Sequence, residues 1–178
     1  YFSYDKEQFE PTIRDLTFSI DAGESVALIG ATGAGKTTVM QLLARFYEVD
    51  GGEVLIDGTN LTEYKRHNVR SQTAFVLQDP YLFESTIREN IRYGKLDATD
   101  NEVIEAAKLA NAHDFIVQLE NGYDTVLELD DGLISQGQKQ LISIARALIT
   151  DPAILLLDEA TSSIDTVTEL KIQEALEH

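Results

Sequence analysis

The sequence contains no cysteine, which excludes disulfide bonds, thiolate metal sites and a thiol nucleophile. Long hydrophobic runs are also absent, since no stretch approaches the roughly 18 consecutive apolar residues that a membrane-spanning helix needs. The opening stretch, YFSYDKEQFE, has neither a basic start nor an apolar core, so it lacks the pattern of a secretion signal. Any contact with a membrane is therefore expected to come through a partner.

Basic residues are few: 14 lysines and arginines stand against 31 aspartates and glutamates, and the formal net charge is −17. Nucleic acids and anionic lipid surfaces repel so acidic a protein, so we expect neither as the main partner. With 178 residues, 43% hydrophobic and 25% charged, the chain has the size and composition of one soluble globular domain. A phosphate ligand would have to be bound by backbone dipoles and a few basic side chains.

Apolar runs of strand length alternate with amphipathic segments of helical period. The predicted strands cover residues 12–20, 24–30, 51–58, 72–80 and 153–160. The predicted helices cover the segment after the glycine-rich turn at 30–35, residues 84–94 and 99–119, the run after Ser135, and a last segment from about Asp165. Thr99 and Glu102 have the spacing of a helix capping box. Strands separated by helices predict an α/β fold with a mainly parallel sheet covered on both faces.

A glycine-rich loop, GATGAGKTT, follows one predicted strand and opens one predicted helix. It fits the phosphate-binding pattern G-x-x-x-x-G-K-[ST] in full. The glycines permit backbone torsions that turn amides inward on a polyphosphate, Lys36 adds a charge for the β and γ phosphates, and the Thr37 hydroxyl can bind Mg²⁺. The alternative is a turn that only joins strand to helix. The residues expected to bind nucleotide here are Gly30, Thr32, Gly33, Ala34, Gly35, Lys36, Thr37 and Thr38.

Two acids, Asp158 and Glu159, follow the apolar run AILLL. The carboxyl ends of parallel strands are where open α/β sheets place their ligands. We expect Asp158 to hold the Mg²⁺ ion and Glu159 to polarise an attacking water. The alternative is a pair of solvated acids at the end of a core strand.

The segment ISQGQKQLISIARALITDPAILLLDEATSSID, residues 134–165, resembles the signature helix, Walker B strand and D-loop of the ATP-binding cassette (ABC) family, whose usual signature is LSGGQ. The motif order is also similar, with an aromatic residue, Tyr4, ahead of the phosphate loop and a lone glutamine, Gln78, at a strand end. The stretches FSYD, VLQDPYLFESTIRENIRYG and NAHDFIVQLENGYDT look most like the nucleotide-binding domain of an exporter.

The resemblance implies roles for further residues. Tyr4 would stack on adenine, although a plain strand-edge tyrosine is the alternative. Gln78 would reach Mg²⁺ or the attacking water while its loop senses a transmembrane partner; the alternative is a turn-capping glutamine. Residues 162–165, SSID, stand where the D-loop follows the dimer seam. The resemblance thus implies three catalytic residues, Glu159, Gln78 and Lys36. The implied metal ligands are Thr37, Gln78 and Asp158. A second anion site, facing the nucleotide of the other subunit, is expected at Ser135, Gly137 and Gln138.

The fold implied by the resemblance is a P-loop NTPase core with a mainly parallel sheet, an N-terminal antiparallel β portion and a helical signature subdomain. The core would comprise approximately residues 1–80 and 150–178, and the subdomain approximately 81–149, within a single domain. The implied function is ATP hydrolysis, with ATP and Mg²⁺ bound between this domain and a second nucleotide-binding domain, at the cytoplasmic face of a membrane and coupled to a transmembrane export domain. A homodimer and a heterodimer are both open, as are a soluble ABC ATPase and a half that binds ATP with little hydrolysis.

The sequence also departs from the family pattern. Ile134 and Gln136 replace the usual leucine and first glycine of the signature, and the loop LELDDGL before it lacks the basic, glycine-containing pattern of exporters. The switch histidine is expected about thirty residues after Walker B, a position that His178 does not match, so the C-terminal switch region is expected to be missing. The first strand of the family, which would precede Tyr1, is expected to be missing as well. His67 and His113 fit no catalytic spacing and are interpreted as surface or core residues.

Overall fold

The computed structural model describes residues 1–7, 10–128 and 132–158. Its internal contacts divide the chain into two units, unit 1 over Tyr1–Arg70 and unit 2 over Ser71–His178. The segment from about Asp165, predicted as a last helix, lies outside the described residues.

Unit 1 is built around the helix that follows the glycine-rich loop. This helix, α1, covers Lys36–Leu43, and a short antiparallel hairpin of β1 (Leu55–Ile56) and β2 (Thr59–Asn60) follows it. A single turn of 3-10 helix leads to α2, Arg66–Ser71, at the end of the unit. The apolar core of the unit comprises Phe2, Ile13, Val39 and Leu42.

The N-terminal segment is held to the rest of unit 1 by backbone hydrogen bonds. Phe2 and Ile13 exchange two of them, each with an N···O distance of 2.9 Å, in an isolated antiparallel bridge. The Ser3 amide donates to the Asp50 carboxylate at 2.9 Å, and this bond is the largest cause of the lowered pKa of that carboxyl. The two residues before Tyr4 are therefore held by two different parts of unit 1, at Ile13 and at Asp50.

The structure corrects two predicted strands, those over 12–20 and 24–30. Apart from the bridge at Ile13, none of the described residues in these runs is paired in a strand, and their apolar side chains are largely exposed, up to 96% at Ile29. An apolar pattern predicts which residues seek burial, but a strand forms only where a partner backbone accepts and donates its hydrogen bonds. No such partner is present among the described residues of unit 1.

Unit 2 contains a parallel pair of strands and a helical cluster. Strand β3 (Thr73–Val76) pairs with β4 (Ile154–Leu157) in the register Thr73 with Ile154 to Val76 with Leu157. The parallel pairing confirms the prediction for these two apolar runs. The helices of the unit are α3 (Ile87–Arg92), α4 (Asp100–Leu109), α5 (His113–Ile116) and α6 (Gln136–Leu148).

The helices of unit 2 form its apolar core. Side chains from α3, α4 and α6 are almost fully buried together, among them Ile87, Ile91, Val103, Ile142 and Ile144. The strands contribute Ala74 and Val76 of β3 to the same cluster. Helix α6 alternates these buried residues with polar ones at helical spacing, as the sequence pattern predicted.

Helix α4 begins as predicted but ends early. The Thr99 side chain accepts from the Glu102 amide and the Glu102 side chain accepts from the Thr99 amide, which confirms the capping box. The predicted helix over 99–119 is divided after Leu109, because Asn111 adopts a left-handed backbone with φ of 54°. Asparagine tolerates this conformation better than most residues, so the chain turns there and resumes as α5.

Candidate functional site

The glycine-rich loop of unit 1 has the backbone of an anion-binding loop. Gly33 and Gly35 have φ values of 84° and 90°, in the left-handed region that favours glycine. Gly35 is the N-cap of α1 and makes no side-chain cap, and the first turn of the helix contains no acidic residue. The amino end of α1 therefore presents its dipole towards the loop without a negatively charged side chain to offset it.

Lys36 lies across this loop. Its ammonium group donates to the carbonyl oxygen of Gly30 at 2.9 Å and to that of Ala31 at 3.2 Å. The two bonds hold the positive charge of Lys36 at the loop. A phosphate at the loop would find this charge already in place. Thr37 is exposed, whereas Thr38 is buried beneath the loop.

Tyr4 lies beside the same helix. Its hydroxyl is 3.1 Å from Thr38 Oγ1 and 2.6 Å from Gln41 Oε1. Its ring makes edge-to-face contacts with Phe2 and Tyr47, at centroid distances of 4.9 and 5.0 Å. The structure thus joins two residues that the sequence predicted for nucleotide binding, Tyr4 and Thr38, and half of the tyrosine surface remains exposed.

In unit 2, Asp158 and Gln78 lie at the carboxyl end of the parallel strand pair. The Asp158 amide donates to the Val76 carbonyl at 3.0 Å, and Gln78 follows Val76 by two residues. Asp158 is half-buried and Gln78 is exposed. Two predicted metal ligands therefore lie at the carboxyl end of the same pair of strands. Glu159, the predicted catalytic acid, and residues 162–165 lie outside the described residues.

A buried glutamine of α6 contacts the backbone at the carboxyl end of β3. Gln140 is only 1% exposed, and its side-chain amide donates to the carbonyl of Leu77 at 3.3 Å. This bond ties α6 to the residue that precedes Gln78. No sequence motif pointed to Gln140, although a polar residue in helical register with Ile144 and Ala147 on the apolar face was a usable signal.

The signature segment ISQGQ forms the start of α6. The Ser135 hydroxyl oxygen accepts from the Gln138 amide at 3.2 Å, and Gln138 Oε1 accepts from the Ser135 amide at 2.8 Å. Gly137 is buried and Gln136 is exposed. A serine hydroxyl that accepts one hydrogen bond still has its own hydrogen to donate, so the capping box leaves Ser135 able to donate to an anion. Ile134, in place of the usual leucine, is buried in the core.

Arg146 of α6 organises the loop that follows Gln78. Its guanidinium donates to the Tyr81 carbonyl at 2.8 Å and to the carbonyl and side-chain oxygens of Asn90 at 2.7 and 2.8 Å. It also lies over the rings of Phe83 and Tyr93, 5.2 and 5.8 Å from their centroids. A cavity of about 240 Å³ opens beside this cluster and is lined by Ala74, Phe75, Leu77, Tyr81, Ser143, Arg146, Ala147 and Thr150.

The histidines of the described chain take no part in these sites. His113 Nδ1 makes a 2.9 Å hydrogen bond with the hydroxyl of Tyr123, whose pKa is raised to about 12 by burial, and His67 is exposed. Within the described residues, no group of three or more histidine, cysteine, aspartate or glutamate side chains could hold a metal ion. The described helices include none long and apolar enough to cross a membrane.

Comparison with known proteins gives one consistent result. The chain is 62% identical over 175 residues to the uncharacterized ABC transporter ATP-binding protein YfiC of Bacillus subtilis. This alignment covers 98% of this chain and 29% of the Bacillus subtilis protein. It is 51% identical over 166 residues to a fatty acid ABC transporter ATP-binding/permease protein of Mycobacterium bovis. That alignment covers 93% of this chain and 26% of the Mycobacterium bovis protein. The chain thus spans less than a third of the length of these curated relatives.

A solved structure shows the same fold. The structure of a bacterial Atm1-family ABC exporter with ATP bound superposes on this chain with a TM-score of 0.90 and 42% sequence identity. The match covers 98% of this chain and 30% of the exporter chain. The sequence model of the family described as ABC transporter matches residues 13–162. With that match over most of its length, the chain belongs to the ABC transporter family and is an ATP-binding cassette domain of the exporter type.

Proposed function

We propose that this domain binds ATP with Mg²⁺ and hydrolyses the γ-phosphate as the motor of a membrane exporter. The observation that carries the proposal is the loop at 30–38, where two left-handed glycines open an uncapped helix and Lys36 lies across the loop carbonyls. The ATP in the related Atm1-family exporter structure supports ATP as the ligand.

Each part of the nucleotide has a proposed partner in unit 1. Tyr4 stacks on the adenine, since an aromatic face binds a purine without requiring specific hydrogen bonds. The backbone of the loop residues Thr32 to Gly35 and the amino end of α1 bind the phosphates. Lys36 and Thr38 add side-chain contacts to the same phosphates. Thr37, exposed at the first turn of α1, is proposed as a metal ligand.

The proposed metal site uses few protein ligands. Mg²⁺ usually keeps several waters and binds through one or two side chains and the substrate phosphates. Asp158 and Gln78, at the carboxyl end of the β3–β4 pair, are each proposed as a ligand of the ion. When bound, Mg²⁺ offsets negative charge on the β and γ phosphates. Glu159, next to Asp158 in the sequence, is proposed to orient and polarise the attacking water.

The signature segment is proposed to act on the nucleotide of a second nucleotide-binding domain. Ser135 caps a 13-residue helix whose first turn contains Gly137 and Gln138, and the dipole of this helix favours an anion at that end. The Ser135 hydroxyl hydrogen is proposed to be donated to the γ-phosphate of the partner's nucleotide. Gln138 supports this arrangement by capping the helix and fixing Ser135. Hydrolysis would then require two domains.

The transmembrane partner is proposed to be a permease. The chain covers about a quarter of a relative named as an ATP-binding/permease protein, which supports a permease portion elsewhere in the same kind of polypeptide. Gln78 begins the loop that Arg146 holds in place, and Tyr81 and Tyr93 of this region are exposed. We place the permease contact at this surface and the domain at the cytoplasmic face of the membrane.

The finer architecture is part of the same proposal. A mainly parallel sheet is supported by the β3–β4 pair, and a helical signature subdomain by the packing of α3, α4 and α6. The N-terminal antiparallel β portion is supported by the bridge between Phe2 and Ile13. The boundaries near residues 80 and 150 stay predictions.

Nucleotide binding is tested by replacing Lys36. We expect Lys36→Ala to weaken ATP binding in isothermal titration calorimetry by about 10- to 100-fold, the effect of losing a charge-assisted hydrogen bond to phosphate. Lys65→Ala, at an exposed lysine of the same unit, is the matched control and should leave the affinity unchanged. An unaltered affinity in Lys36→Ala would refute the proposed phosphate site.

A further inference from the structure

The hydroxyl group of Tyr4 is held by two side chains of one helix. Thr38 and Gln41 lie three residues apart on α1, so they share a face of the helix. The phenol has one hydrogen to donate, and the 2.6 Å distance to Gln41 Oε1 assigns that hydrogen to the glutamine carbonyl. The Thr38 hydroxyl oxygen, at 3.1 Å, is a second and longer hydrogen-bond partner of the phenol.

These two bonds supply what the ring contacts alone lack. Phe2 and Tyr47 contact the Tyr4 ring edge to face, and such contacts tolerate sliding and tilting of the ring. Directional hydrogen bonds at the far end of the ring fix its rotation and its distance from α1. Gln41 provides the shorter of the two bonds, and its side chain is half-buried beside the helix.

We propose that Gln41 is a positioning residue for the base of the nucleotide. This inference rests on the proposed function, in which Tyr4 stacks on adenine and the loop ahead of α1 binds the phosphates. Since α1 begins at Lys36 and also carries Gln41, one rigid element sets the distance between the stacking ring and the phosphate loop. Gln41 acts through the Tyr4 hydroxyl and does not contact the nucleotide.

The proposal predicts an effect that depends on the base. A nucleotide that stacks on Tyr4 gains from a ring held in place before binding, because no freedom of the ring is lost on association. Inorganic tripolyphosphate has the phosphates but no base, so its affinity should not depend on Gln41. A glutamine that only stabilised α1 would affect both ligands alike.

The experiment compares four variants of the full chain by isothermal titration calorimetry with ATP and with inorganic tripolyphosphate. Gln41→Leu should weaken ATP binding by about three- to tenfold, the range for one hydrogen bond, and leave tripolyphosphate binding unchanged. Tyr4→Phe should show the same selectivity, and adding Gln41→Leu to it should cause no further loss. Gln118→Leu, the same change at an exposed residue, should match the unaltered protein.

A fifth variant guards against misfolding of Gln41→Leu. Gln41→Glu keeps an oxygen acceptor for the phenol, so the ratio of ATP to tripolyphosphate affinity should stay that of the unaltered protein even if its charge weakens both. An equal loss for both ligands in Gln41→Leu, an additive loss in the double variant, or no loss at all would overturn the proposal. Failure of the unaltered protein to bind ATP would instead overturn the proposed function itself.

Discussion

The phosphate loop depends on single residues whose backbone other side chains could not adopt. Gly35 combines a φ of 90° with close packing, because a Cβ atom there would lie 2.5 Å from Cδ1 of Ile13. Ile13 is buried in the core of unit 1 and bridges to Phe2, so it cannot move aside without disturbing that core. The position therefore requires glycine for two separate physical reasons.

Gly35→Ala tests this requirement. We expect a loss of roughly 2 to 5 kcal/mol in the free energy of unfolding, from left-handed strain of about 1–2 kcal/mol and from overpacking of about 1–3 kcal/mol, together with weaker ATP binding. Gly23→Ala is the control, since Gly23 also has a positive φ of 79° but an added Cβ would meet nothing within 4 Å. Urea denaturation of both variants measures the difference. Equal losses would contradict a packing role for Gly35.

The site residues differ in how far the sequence could predict them. The loop glycines and Lys36 belong to one contiguous motif whose chemistry is local, and Gly33 and Gly35 have the left-handed backbone that such a loop needs. Nucleotide binding by these residues stays a prediction. The partners of Tyr4 lie 34 and 37 residues away, and no sequence pattern connects them to it. Gln140 was missed because its partner is a backbone carbonyl 63 residues distant. The catalytic role of Glu159 stays a prediction.

Local chemistry also determines where the helices of unit 2 begin. The capping boxes at Thr99 and at Ser135 each use a side chain three residues along, so the sequence contains everything that the cap needs. Strands depend on residues distant in the sequence, which is why β3 and β4 formed as predicted while the apolar runs at 12–20 and 24–30 are not paired within the described residues. The end of α4 after Leu109 depended on the left-handed backbone of Asn111.

The cap of α4 should make stability depend on acid pH. Hydrogen bonds from Lys95 and from Thr99 lower the pKa of Glu102 from its usual 4.5 to about 2. A carboxyl with a lowered pKa stabilises the fold fully above about pH 4.5, and this contribution is lost as the pH falls towards 2. We therefore expect the difference in stability between the unaltered protein and Glu102→Gln to shrink over that interval. Urea denaturation at a series of pH values measures it, and a constant difference would contradict the lowered pKa of Glu102.

The junction between α3 and α6 leaves no room for a side chain at Gly94. A Cβ atom there would lie 2.1 Å from the carbonyl oxygen of Arg146 and 2.8 Å from Ile149 Cγ2. Because the first atom is helix backbone, Gly94→Ala should cost about 1–3 kcal/mol of stability and disturb the Arg146 cluster. Leu96→Ala, in the same loop and at a residue 78% exposed, should cost far less in thermal denaturation. Equal melting temperatures for the two variants would contradict this packing.

For the whole molecule, the sequence could predict the chemical class of the ligand better than the assembly. A net charge of −17 leaves phosphate binding to local features, and the loop at 30–38 supplies them. The need for a second domain follows only from the proposal that Ser135 acts on the nucleotide of a second nucleotide-binding domain. That proposal concerns a surface completed by another domain, so neither the sequence pattern nor the fold of this one domain contains the partner.

Mixing two inactive variants tests the shared site. Lys36→Ala removes the phosphate contact but keeps Ser135, while Ser135→Arg blocks the signature end but keeps Lys36. Each variant alone should be nearly inactive in ATP hydrolysis, and an equimolar mixture should regain activity because a mixed dimer contains one complete site. A mixture as inactive as its components would contradict completion of the site by a second copy of this chain.

The proposal that this domain hydrolyses ATP, with Glu159 polarising the attacking water, is tested by one paired measurement. Steady-state phosphate release and equilibrium ATP binding are measured for the unaltered protein and for Glu159→Gln. We predict that the variant binds ATP with unchanged affinity while its turnover falls to background, because the amide cannot polarise the attacking water. Turnover by Glu159→Gln at the rate of the unaltered protein would contradict it.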